Sequence, residues 1–300
     1  MMNHDIPVCA APDPNPRPPR RPLPAGSCDS HAHLFGPADR YPYHPDRNYT
    51  PPDASRESYL HLLRTLGFQR AVLVQPSVYG TDNSRMVDAL TLAQDDPAGI
   101  AWRGVAVLDA GASDAELERL HALGVRGVRM NLVFRGGIDT ATATTLAERI
   151  APLGWHLQFL VDISRFDDFA GFASRLPVPS VVDHMGHLPA ALGPAHPAFA
   201  DLLALLREGR TWVKLSGPNR ITAGKLPPFH DVDPLAGALI DAAPQRLVFG
   251  TDWPHVQLPT PMPNDGDLMD EFFRWIDNDD GLAEQILVAN PARLYGFESR

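Results

Sequence analysis

Cysteine is nearly absent from this chain. Its two cysteines, Cys9 and Cys28, cannot build a disulfide framework, and they lack the spacing of a zinc ribbon. No apolar run approaches the roughly 18 residues of a membrane span. The opening MMNHDIPVCAAPDPNP lacks the apolar stretch of a secretory signal, because His, Asp and prolines break it. These absences predict a cytoplasmic protein without a membrane partner. An excess of positive charge is missing too: 26 Lys+Arg stand against 36 Asp+Glu, for a net charge of −10. A chain of that sign repels phosphate backbones, so nucleic acid is not an expected partner. There is no Gly-rich phosphate loop, no Gly-x-Ser-x-Gly elbow and no setting for a nucleophilic cysteine, which excludes kinase-like and serine-triad chemistry.

Proline, by contrast, is abundant, at 31 of 300 residues, about twice the usual ~5%. Eight of these prolines fall between Pro7 and Pro24, where neither a helix nor a sheet ladder can be sustained. Residues 1–24 are therefore expected to form an extended arm, and residues 25–300 a single domain. Within the domain, short apolar runs alternate with stretches of helical period. The expected strands are Ser27–Phe35, Arg70–Gln75, Ala101–Leu108, Val125–Leu132, Trp155–Asp162, Ser180–Met185, Thr211–Ser216 and Arg246–Thr251. Helical patterns lie between them, as in Ser84–Gln94, Ser113–Gly124 and Pro197–Gly209. Ser113 and Glu116 have the spacing of a capping box, and Gly124 and Gly209 stand where helices commonly stop. Eight near-continuous apolar strands separated by helices predict an α/β fold, a (β/α)8 TIM barrel. An open doubly wound sheet is the competitor, but the first strand lacks the Gly-x-Gly-x-x-Gly that often opens one.

In such a barrel, chemistry collects at the C-terminal ends of the strands. The first strand ends in Asp29-Ser30-His31-Ala32-His33, and strand alternation places His31 and His33 on one face. The sixth ends around Asp183-His184 and the eighth around Thr251-Asp252. His31, His33, His184 and Asp252 are thus the expected catalytic set. Neutral imidazoles and a carboxylate suit one divalent metal such as Zn or Mn, in which case the same four residues are its ligands. Alternatively they polarise a carbonyl directly, with Asp252 as base. Arg129, Arg135 and Arg220 fall at the same end and suit a carboxylate-bearing ligand. Tyr49, Ser77 and His255 complete the expected substrate contacts, with His187 a second-tier candidate. Arg126 is spaced to point away from the centre, whereas His156 and Gln158 are spaced to face the lumen together. His4, His44, His61, His121 and His196 are read as surface or packing residues.

These motifs carry a resemblance. DSHAHLFGP, LVQPSVYGTDN, GVRGVRMN, VVDHMGH, VKLSGPNR, FGTDWPH and ILVANPARLYGF resemble, in matching order from about Ala25 to Phe297, the amidohydrolase superfamily. They are most similar to its branch of 2-pyrone-4,6-dicarboxylate lactonase and related lactone hydrolases. The resemblance implies that His31, His33 and His184 surround a lactone carbonyl and that Asp252 activates water. It also implies that Tyr49, Ser77, Arg129, Arg135 and Arg220 hold substrate carboxylates. The sequence departs from the pyrone enzyme at Leu160, at Val78 and Tyr79, and at His187. Some members of the branch use a divalent metal and the pyrone enzyme uses none. Asn131 stands near the place of the superfamily's carbamylated lysine, so a two-metal centre is not expected. The expectation is a hydrolase that opens an anionic lactone, either 2-pyrone-4,6-dicarboxylate or a muconolactone-type intermediate of aromatic catabolism. A metal-dependent decarboxylase, a sugar-acid lactonase and a non-catalytic anion-binding barrel are the alternatives.

Overall fold

The computed structural model describes residues 6–93, 99–132, 140–258 and 261–298. Eight strands form one parallel sheet in sequential order. They are β1 (Cys28–Ala32), β2 (Arg70–Val74), β3 (Ala101–Ala106), β4 (Val125–Asn131), β5 (His156–Leu160), β6 (Ser180–Val182), β7 (Thr211–Leu215) and β8 (Leu247–Phe249). The sheet closes on itself just beyond β8. Ala32 bridges Trp253, His33 N donates to Trp253 O at 2.8 Å, and Asp252 N donates to His31 O at 2.8 Å. The architecture is the (β/α)8 barrel expected from the alternating pattern.

Helices α1 (Arg56–Leu66), α2 (Ser84–Ala93), α3 (Asp114–Ala122), α4 (Thr140–Ile150), α5 (Phe169–Arg175) and α6 (Pro197–Glu208) follow the first six strands in turn. After β7 come the short α7 (Pro218–Ile221) and then α8 (Asp233–Ala242). After β8 come α9 (Asp265–Trp275), α10 (Asp280–Glu284) and α11 (Asn290–Tyr295). Local chemistry fixes their ends. Ser113 Oγ accepts from Glu116 N at 3.2 Å and caps α3, although the Glu116 carboxylate turns to Arg119 instead of closing the box. Helix α6 stops at Gly209, whose φ of +84° is one that glycine adopts without strain. Among the described residues, no helix is long and apolar enough to cross a membrane.

Strand residues alternate between two environments. Ala71 and Leu73 of β2 join the large cluster shared with the helices. Val72 and Val74 instead meet Cys28, Val105, Tyr295 and Phe297, so the chain's end packs against the inner face of the first strands. Strands β6 and β8 are shorter than the apolar runs suggest. The backbone leaves the sheet because His184, Met185, Gly186 and Asp252 all take positive φ.

The proline-rich segment from Ile6 to Pro24 lies along the barrel. Thr50 N donates to Pro7 O and Cys9 N to Thr50 O, tying it to the loop that carries Tyr49. Further on, Arg17 pairs with Asp267 and Asp270 of α9.

Candidate active site

A register shift lies between Asp29 and Ala32 of β1. Asp29 accepts from Thr251 N (2.8 Å), Thr251 Oγ1 (2.6 Å) and Tyr59 Oη of α1 (2.8 Å). Burial pushes its carboxyl up to about 6 despite those bonds. The His31 side chain, two residues on, meets different partners, His33 and Lys214. The bulge breaks the alternation that would otherwise give both side chains the same surroundings.

His31 and His33 do come together, with their Nε2 atoms 3.3 Å apart. His33 Nδ1 lies 2.7 Å from Val74 O. A carbonyl only accepts, so Nδ1 carries the proton and Nε2 presents its lone pair to the site. His184 Nδ1 lies 2.8 Å from Ser216 Oγ, just past β7. His31 Nδ1 lies 3.1 Å from Lys214 Nζ, which also donates to Ser30 O at 3.0 Å; burial lowers the Lys214 pKa, and Asp183 opposes that shift. Burial, above all, holds all three imidazoles well below the ordinary histidine range. The positive charge of Lys214 adds to this at His31, that of Arg129 at His33, and His31 itself at His184.

Asp252 completes the group. Its Oδ1 lies 3.5 Å from His184 Nε2, 3.8 Å from His31 Nε2 and 3.9 Å from His33 Nε2. This buried oxygen accepts no hydrogen bond among the described residues. Oδ2 is held by Arg220 Nε at 2.5 Å. His184 and Asp252 adopt φ of 50° and 66°, and such strain costs roughly 1–3 kcal/mol per residue. The fold sustains it at the two residues that aim at one point.

His33, His184, Asp252 and Arg220 wall a small cavity of about 60 Å³ at the C-terminal end of the strands, lined also by Tyr49, Ser77, Arg129, Leu160, His187, Val256 and Gln257, while His31 is fully buried beside it. Arg129 donates to Gln75 O at 3.1 Å, and its Nε has no hydrogen-bond partner among the described residues. Arg220 donates to Val256 O at 3.1 Å, which fixes its fork across the cavity mouth. His187 is half-buried, and its pKa is pushed down to about 3, first by desolvation and then by Arg220, so it is neutral at pH 7. His255 is not brought to the wall. Its Nε2 lies 2.8 Å from Asp265 Oδ1 of α9, and although burial opposes the charge, Asp265 raises its pKa. Arg135 lies outside the described residues.

Sequence reading passed over three further groups. Asp183 lies beneath the histidines, with Oδ1 3.3 Å from both Lys214 Nζ and His31 Nδ1, and Oδ2 3.1 Å from Gln158 Nε2. Burial opposes its charge, but Lys214, His184 and Arg129 hold it below the usual carboxylate range. Ser216 orients His184. Lys214, fully buried, is one of only two lysines in the chain. A charged residue inside the apolar run Val213-Lys214-Leu215 was the available signal.

The donor types also suit a cation. Donor atoms of His31, His33 and Asp252 lie within 4.8 Å of one another, as do those of His31, Asp183 and His184. Both groups include His31; of its partners, His33 and the unpartnered Asp252 Oδ1 suit a cation as they stand. His31 does not, because a ligating imidazole turns a lone pair inward and gives its other N–H to an acceptor. Lys214 is a donor at that position.

Residues 28–297 match a family model described as amidohydrolase. The chain is 40% identical to a 2-pyrone-4,6-dicarboxylate hydrolase of Comamonas testosteroni, over 94% of this chain and 93% of that one. It is 34% identical to a 4-sulfomuconolactone hydrolase of Hydrogenophaga intermedia, over 97% and 95% of the two chains. A crystal structure of an Agrobacterium tumefaciens protein, 26% identical, superposes with a TM-score of 0.84 over 94% of this chain and all of the other.

Proposed function

This chain belongs to the amidohydrolase family, and we propose that it hydrolyses a carboxylate-bearing lactone, either 2-pyrone-4,6-dicarboxylate or a muconolactone-type intermediate of aromatic catabolism. One observation carries the reading: the unpartnered Asp252 Oδ1 faces three neutral histidines, His31, His33 and His184, at the wall of a cavity that also holds two arginines. A base, carbonyl-polarising groups and an anion clamp are what lactone opening requires.

Arg129 and Arg220, with Tyr49, Ser77 and Arg135, hold the substrate's anionic groups and set the ring against the histidines. Asp252 Oδ1 takes a proton from water, and the resulting hydroxide adds to the lactone carbonyl carbon. Charge that develops on the carbonyl oxygen is met by imidazole N–H from His31, with His184 beside it. The bond from the carbonyl carbon to the ring oxygen then breaks, and the ring oxygen takes the proton from Asp252. Arg220 on Oδ2 keeps the carboxylate aimed while Oδ1 takes and returns the proton. A divalent ion, Zn or Mn, would be held by His31, His33, His184 and Asp252 once His31 turned a lone pair inward. It would supply Lewis-acid polarisation of the same carbonyl.

The relatives' names support the substrate class. Leu160 and the neutral His187 on the cavity wall favour a ring with an uncharged edge there. The test is ring opening of the pyrone dicarboxylate, muconolactones and aldonolactones by purified protein, with and without chelator. Opening of an aromatic-derived lactone with no release of carbon dioxide is expected. Decarboxylation, or turnover of aldonolactones alone, overturns the reading.

A further inference from the structure

We propose that Lys214 is a positioning residue that fixes the His31 tautomer, so that His31 Nε2 points a proton, rather than a lone pair, at the reacting centre. Lys214 is ion-paired with the equally buried Asp183 carboxylate, which favours its charged form, and a charged lysine has three donors and no acceptor. Its Nζ lies 3.1 Å from His31 Nδ1, which must therefore accept, leaving the ring's single proton on Nε2. Asp183 Oδ1 is nearly as close at 3.3 Å, but it makes no hydrogen bond with the ring. Its role is to hold Lys214 from the other side, also at 3.3 Å.

The neighbouring groups agree with this assignment. Lys214 donates to His31 Nδ1, His31 Nε2–H faces the lone pair of His33 Nε2 at 3.3 Å, and His33 Nδ1–H donates to Val74 O at 2.7 Å. Every donor in that series meets an acceptor, and reversing the His31 proton sets donor against donor at Lys214. The series runs one way because it begins at a cation and ends at a carbonyl. The chain carries 26 Lys+Arg, nearly all arginine, yet places a lysine here. A compact point charge fits between Ser30 O, Asp183 and an imidazole nitrogen, where a planar guanidinium fork does not.

The consequence is a choice of chemistry. With Nε2 protonated, His31 donates directly to a carbonyl oxygen and is withdrawn from both candidate metal-binding groups, each of which includes it. Lys214 thus biases the site toward direct polarisation. The inference rests on the role given above to His31, but its tests are made without substrate, so its failure is separable from failure of the lactonase reading.

Nitrogen-15 NMR of labelled, substrate-free protein, with His31 assigned by comparison with His31→Gln, reads the tautomer. A pyridine-type Nδ1 and a protonated Nε2 are expected; a protonated Nδ1 overturns the proposal. Zinc titration of Lys214→Met gives a second readout. Because that variant alone strands the Asp183 carboxylate, Lys214→Met/Asp183→Asn is measured beside it. Outer-shell changes commonly alter metal affinity by about 10- to 100-fold, and a rise in zinc affinity of that size is expected in whichever variant folds, with the His31 signals changed. Unchanged zinc affinity in the folded variants contradicts the proposal. The wild-type spectrum decides the matter if neither variant folds.

Discussion

Two groups of buried histidine sit in this barrel, and their surroundings differ. His156 at the start of β5 packs edge-on against Tyr295 of the closing helix, with ring centroids 5.4 Å apart, and neither of its nitrogens has a hydrogen-bond partner among the described residues. Gly127 makes room for it, since a Cβ there would lie 2.5 Å from His156 Nε2. At the mouth, His31, His33 and His184 are equally buried, but each is tied through Nδ1 to Lys214, Val74 O or Ser216. Burial makes all four neutral. Only partners decide which way a proton points. Burial therefore says little about function here, whereas a hydrogen bond on the far side of the ring says a great deal.

That contrast is sharpened first by Asp252→Asn. It removes the base and leaves the histidine partners in place, so kcat should fall by about 10³-fold while thermal unfolding is little changed. Retained turnover would show that the aimed groups are not the working ones. At the opposite end, Tyr295→Ala should cost about 3–5 kcal/mol of stability, measured by urea unfolding, with kcat per folded molecule unchanged. Loss of kcat in proportion would dissolve the distinction between the two ends. Arg129→Met should raise KM by about 10- to 100-fold, the cost of one charged hydrogen bond, with a smaller change in kcat.

The smallest effect concerns acid. Burial lowers His156 to about 3, against an ordinary 6.5 in the unfolded chain. Between those values the unfolded state binds the extra proton, so stability is fully present above pH 6.5 and is lost as pH falls toward 3. The slope is about 1.4 kcal/mol per pH unit for each such group. His156→Gln should remove one group's share of that slope, read from urea unfolding between pH 7 and 4, without altering turnover. An unchanged slope would mean that His156 is not buried as a neutral ring.

The barrel was legible because each strand is buried on both faces and reads as an apolar run. The His-x-His pair, His184 and Asp252 were legible because they stand where those runs end. What escaped was set by local backbone and by partners distant in sequence. The β1 bulge gives Asp29 and His31 different surroundings, which simple alternation does not foresee. Positive φ at His184 and Asp252 ends β6 and β8 early. His255, two residues beyond the Trp253 bridge, is drawn to Asp265 of α9, a pairing no motif announces. Lys214 and Asp183 lay inside quoted motifs, and only the closed sheet shows that they meet beneath His31.

The central claim is that water, activated by Asp252, adds to a lactone carbonyl. Running the reaction in heavy-oxygen water and examining the product by mass spectrometry tests it most directly. The account predicts one heavy oxygen in the newly formed carboxylate and an unlabelled hydroxyl or enol oxygen. An unlabelled product, as from isomerisation or decarboxylation, would contradict it.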